Sequence, residues 1–156
     1  MILLVHMLLG AAVGSLVENV YLGMLLALLS HYLADALPHI EYLRSTEKSV
    51  EKLKTKNLKK FLPDSIKTAV DFSLGIMAIF FFSSQQSILY IYGLLAVVPD
   101  SLTIVTLLFP NKLLRMHHII HTKYVHYLTK QKKFPIFWRI ATQIVVAILS
   151  MAILMK

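Results

Sequence analysis

Ile88-Leu-Tyr-Ile-Tyr-Gly-Leu-Leu-Ala-Val-Val-Pro99-Asp100-Ser-Leu-Thr-Ile-Val-Thr-Leu-Leu-Phe109 contains no lysine, arginine or glutamate, and Asp100 is its one formal charge. A helix needs about 20 mainly apolar residues to cross the hydrocarbon of a bilayer, and this stretch supplies them, with an interruption at Pro99-Asp100. Four further apolar stretches flank it, at residues 2–17, 20–37, 66–82 and 136–155. Pro38 stops the second, and Pro63-Asp64-Ser65 is a helix-start signal for the third, since Asp64 or Ser65 can accept from the free donors of a first turn. The expected architecture is an all-α polytopic membrane protein with about five membrane-inserted helices in one domain, residues 1–156. The first and third stretches are short for spans, which predicts tilt, partial re-entry or a thin bundle.

Composition agrees. The chain is 57% hydrophobic and 15% charged, whereas a soluble domain carries about a quarter charged residues. Its net charge of +8 would point to nucleic acid in a soluble protein, but here the basic residues lie between apolar stretches, where topology explains them and no nucleic acid is expected. Eight fall between Arg44 and Lys67, seven between Lys112 and Arg139, and the last is Lys156. Five inserted helices put both basic segments on one side. The positive-inside bias then predicts a multi-pass protein of the cell's inner membrane with its N-terminus cytoplasmic. The lysine-rich segment 48–60 has rough helical spacing and reads either as a surface helix on anionic lipid or as a solvated loop. Cysteine is absent, which excludes disulfides and thiolate metal sites.

Ionisable groups inside apolar helices are costly, about 2.5 kcal/mol or more for a central aspartate on insertion scales, so each calls for a partner. Here they are His6, His31, Asp35, His39, Asp71 and Asp100, followed by His117, His118 and His121 in the basic segment. Counted from the predicted helix ends at about 1.5 Å per residue, those within the helices fall in one layer near the cytoplasmic face. His31 and Asp35 share a helix face, and Pro38 frees His39 to turn back toward them. His117 and His121 also share a face. Imidazole with carboxylate is what zinc accepts without thiolates, and manganese or iron also fits. Asp71 and Asp100 can complete such a site or orient a ligand histidine. His6 equally suits plain packing, and His117, His118 and His121 equally suit contact with headgroups. Trp138, Tyr124 and Tyr127 read as interfacial belt residues.

At Ser30-His31-Tyr-Leu-Ala-Asp35-Ala-Leu-Pro38-His39-Ile-Glu41 the chain resembles the bacterial membrane-bound metal-dependent hydrolases, the family of LexA-regulated inner-membrane proteins. His6-Met-Leu-Leu-Gly10-Ala-Ala matches that family's early helix-borne histidine followed by small residues, and Pro99-Asp100 or Pro38-His39-Ile-Glu41 its Pro-Asp element. Its His-Arg-Gly-x-Thr-His-Ser signature does not occur; His121 and His126 keep only the histidine spacing. More distantly, the His31, Asp35 and His39 run is similar to that of zinc-dependent phospholipase C. The resemblance implies a metal-dependent hydrolase whose cation activates water, acting on a phosphoester of a lipid or other amphiphile drawn from the bilayer. Glu41 is then a candidate general base, and Arg115, Lys112 or Lys123 a candidate headgroup-binding residue. Two other classes also fit the residues: a His-box di-iron oxidase or hydroxylase, and a non-enzymatic metal or proton carrier or membrane adaptor.

Overall fold

The computed structural model describes residues 1–40, 58–83, 86–109, 111–125 and 134–156. Six α-helices occur in order: α1 (Leu3–Ser15), α2 (Val20–Ala36), α3 (Leu58–Phe82), α4 (Ser87–Leu108), α5 (Lys112–Ile119) and α6 (Ile136–Leu154). A π-helical turn, Ile120–Val125, continues α5. No strand occurs among the described residues, so the all-α expectation holds.

Three helices are long and apolar enough to cross a membrane, over Leu62–Phe82, Ser87–Thr106 and Ile136–Leu154. Phe81, Val145 and Leu149 among others stand exposed on them, as lipid-facing side chains do. The other two expected helices are apolar but shorter, α1 with 13 residues and α2 with 17. At 1.5 Å per residue, α1 is about 20 Å long, short of a hydrocarbon core about 30 Å thick. It faces protein instead: α2, α3, α4 and α6 all pack around it, and Met7, Leu8, Ala11 and Ala12 are fully enclosed.

A helix that begins inside a bundle must have its first donors satisfied, since they lack partners of their own and lipid supplies none. Side chains from three other helices do this. The amino group of Met1 donates to Asp35 Oδ1 of α2 at 2.7 Å, and the Ile2 N–H to Gln143 Oε1 of α6 at 3.2 Å. The Leu3 and Leu4 N–H groups donate to the two carboxylate oxygens of Asp71 in α3, at 2.6 and 3.3 Å. A carboxylate is also the favoured charge at this end of a helix dipole.

Small residues set how closely α1 and α4 approach. A Cβ on Gly10 would collide with the Ala96 side chain and come within 2.8 Å of the Tyr92 carbonyl oxygen; one on Gly14 would enter the Tyr92 ring.

Two boundaries differ from the sequence reading. The helix expected to begin at Pro63-Asp64-Ser65 begins at Leu58, with Pro63 inside it. There the proline removes one internal hydrogen bond of the helix, and Thr68 Oγ1 donates to the Asp64 carbonyl in a bond internal to the helix. α4 runs through Pro99-Asp100 without a break. The basic segment forms a short helix capped by Asn111, whose Oδ1 accepts from the Leu114 N–H at 2.9 Å. Glu41, His126 and nearly all of the lysine-rich segment 48–60 lie outside the described residues.

Candidate metal centre

Asp35 sits in the last turn of α2, one turn beyond His31, and both are fully buried. His31 Nδ1–H donates to the Ala96 carbonyl of α4 at 2.7 Å. That bond leaves the Nε2 lone pair of a neutral imidazole facing the bundle interior. His121 reaches the same point from the π-helical turn, a geometry often found at functional positions. Thr103 Oγ1 donates to the Pro99 carbonyl at 3.3 Å and lies 3.3 Å from His121 Nδ1, so it is set to accept that ring's N–H. His121 Nε2 thus also presents a lone pair inward.

Three acceptors therefore converge. His31 Nε2 and His121 Nε2 stand 3.0 Å apart, and each lies 3.1 Å from Asp35 Oδ2. Asp100 Oδ1 adds a fourth, 3.6 Å from His31 Nε2 and 3.8 Å from His121 Nε2. With bonds of about 2.0–2.1 Å, tetrahedral ligands around zinc stand about 3.3–3.4 Å apart. The five distances run from 3.0 to 3.8 Å, and the ligand atoms of all four residues lie within 4.8 Å of one another. Acceptors crowded like this in a dry interior repel unless a cation or protons lie among them. The group can hold a divalent metal ion.

Two more histidines reach the other oxygen of Asp35. His6 Nε2 is 3.1 Å from Oδ1, and its ring stacks on His31 with centroids 4.1 Å apart. His39 Nε2 is 3.7 Å from Oδ1, with Nδ1–H donating to the Leu37 carbonyl at 2.7 Å. Arg139 Nε donates to the His39 carbonyl oxygen at 2.7 Å.

Of the residues singled out in the sequence, His6, His31, Asp35, His39, Asp100 and His121 come together. Asp71 does not join them; it caps α1. His117 lies half-buried at the edge, its Nε2 3.2 Å from the Tyr32 hydroxyl and its ring stacked on His121. Burial first, then His121, His31 and His118, holds its imidazole below the usual range. His118 is half-buried, and Arg115 is exposed on α5, outside the buried group. Four participants carried no signal in the sequence: the Ala96 carbonyl, Thr103, Tyr32 and the amino group of Met1.

Fold and site together define a helical membrane protein with a buried histidine–aspartate centre suited to a divalent cation. No protein-family model, curated protein or solved structure matches the chain.

Proposed function

We propose that this protein is an integral membrane metallohydrolase whose cation, zinc first among the candidates, activates water against a phosphoester of a lipid or similar amphiphile. The observation that carries the metal is the convergence of His31, Asp35, Asp100 and His121, with two imidazole lone pairs 3.0 Å apart. A cation held by neutral imidazoles and carboxylates lowers the pKa of a bound water and polarises the bond under attack. Both ring nitrogens of that pair are set by a carbonyl or hydroxyl partner at Nδ1, the arrangement that orients histidines toward metals.

Hydrolysis of a membrane substrate accords with an apolar exterior around a polar centre, and with the resemblance of the His31–Asp35 run to the LexA-regulated inner-membrane hydrolases. Tyr32 and His117 form the half-buried edge of the centre, where substrate would approach. The positive-inside bias places the basic segments and this end of the bundle in the cytoplasm.

The test is metal analysis of the purified chain in detergent, followed by release of phosphate or a soluble headgroup from phospholipid vesicles. Tightly held zinc or manganese, with hydrolysis that fails in Asp35→Asn, is the expected result. Folded protein that takes up no metal under any supply overturns the reading. Bound iron with an oxo-bridge absorption would favour the di-iron oxidase, and bound zinc with no hydrolysis would favour a carrier or adaptor.

A further inference from the structure

Asp35 has two oxygens, and only Oδ2 faces the group formed with His31 and His121. Oδ1 faces a different set: His6 Nε2 at 3.1 Å, His39 Nε2 at 3.7 Å and the amino group of Met1 at 2.7 Å. We propose that Asp35 bridges two divalent cations, the second held between Oδ1, His6 Nε2 and His39 Nε2. This rests on the reading of the first site as a metal centre.

His6 carries the argument. It has no exposed surface; Nδ1 has no partner, and Nε2 meets Asp35 Oδ1 at 3.1 Å without making a hydrogen bond. Buried polar groups in native proteins almost always have partners, and an exception calls for an explanation such as an ion. Stacking on His31 fixes the ring plane, so the imidazole cannot turn its nitrogens elsewhere in the packed core. On the other flank, the His39 Nδ1–H bond to Leu37 leaves Nε2 as that ring's inward edge. The separations of 3.1 and 3.7 Å from Oδ1 lie in the range that ligands of one cation keep. The Met1 amine stands 2.7 Å from the same oxygen, and a cation bound there would displace it.

Two cations on opposite oxygens of one carboxylate sit close together. Pairs about 3.5–4 Å apart clamp the attacking and leaving oxygens of an in-line displacement, as at phosphoryl centres. A two-cation centre accords with the phosphoester reading, as in phosphatases and nucleases.

The experiment loads the tag-free full-length chain in detergent with zinc, removes unbound ions and counts zinc per chain by mass spectrometry. The unaltered protein should hold two, and His6→Leu and His39→Asn one each. Loading with Mn²⁺ should give an exchange-coupled spin-resonance spectrum in the unaltered protein and a simple six-line spectrum in both variants. One zinc in all three proteins overturns the second site and leaves the first. A second zinc lost through His117→Ala instead also overturns it. No zinc in any of them removes both readings. If His6→Leu does not fold, an uncoupled Mn²⁺ spectrum at two equivalents per unaltered chain is refutation enough.

Discussion

Replacing Asp35 by asparagine separates a metal centre from a structural ion pair, because the two predict opposite things of the metal-free protein. In the metal-free chain, Asp35 Oδ2 stands 3.1 Å from two imidazole nitrogens that present lone pairs. An asparagine of the same shape puts an NH₂ group there and can donate to both. Satisfying buried acceptors stabilises by about 1–3 kcal/mol. On the other side, the amide oxygen still accepts from the Met1 amine, but a bond between charged groups, worth about 1.5–3 kcal/mol, becomes a weaker one. The two changes oppose each other and leave the metal-free stability within about 1 kcal/mol of the original. The metal-dependent part behaves differently. A ligand present at a hundred times its Kd adds about 2.7 kcal/mol, which for a chain of this size raises Tm by at least about 5 °C. That increment should vanish in the variant. The assay is thermal unfolding in detergent, read from the single tryptophan, Trp138, with and without chelator. If the unaltered protein unfolds at the same temperature with and without chelator, the metal reading is refuted.

Thr103→Val removes the acceptor facing His121 Nδ1 while keeping the side-chain volume. It should weaken zinc binding by about 10–100-fold, with the helical circular dichroism unchanged, as competition against a fluorescent chelator would show. Asp71→Ala deprives Leu3 and Leu4 of their acceptors and should cost about 1–2 kcal/mol with zinc content per chain unaltered; lost zinc in a folded Asp71→Ala protein would make Asp71 a ligand. Gly10→Val forces α1 from α4 at a contact with backbone, and thermal unfolding should register a loss of about 1–3 kcal/mol or more.

The helices and most residues of the buried histidine–aspartate group were legible in the sequence, for one shared reason. Lipid excludes charge, so apolar runs show where helices lie, and each aspartate or histidine inside one stands out as an expense. His31 and Asp35 announce a common face by their spacing. The rest of the site uses groups that look the same everywhere in a sequence. The acceptor for His31 is a backbone carbonyl, that of Ala96, and every residue has one. Thr103 is one of many hydroxyls. Asp71 was visible as a charge, but charge alone does not separate a ligand from a cap; that depends on which helix start lies beside it. Boundaries failed where a local rule met tertiary support, since a Pro-Asp-Ser run marks a helix start in isolation and lies inside α3 here. Of the five apolar helices expected, three are long enough to cross a membrane, and α1, one of the two shorter ones, is enclosed by four other helices.

The short α1 and the buried centre have one physical cause. A helix starting inside the bundle brings unpaired donors to its first turn, and Asp35, Gln143 and Asp71 are drawn in to meet them. The same start carries His6 to the level of His31 and Asp35, one turn into the helix, where its ring stacks on His31. A full-length span in place of α1 would run its first turns beyond this level, and His6 would have to lie deeper in the helix to reach it. Inserting one residue between Leu4 and His6 turns the first residues about 100° against the packed remainder of α1 and should break the Asp71 cap while His6 keeps its place, whereas an insertion after Gly14 should leave both the cap and the His6–Asp35 contact.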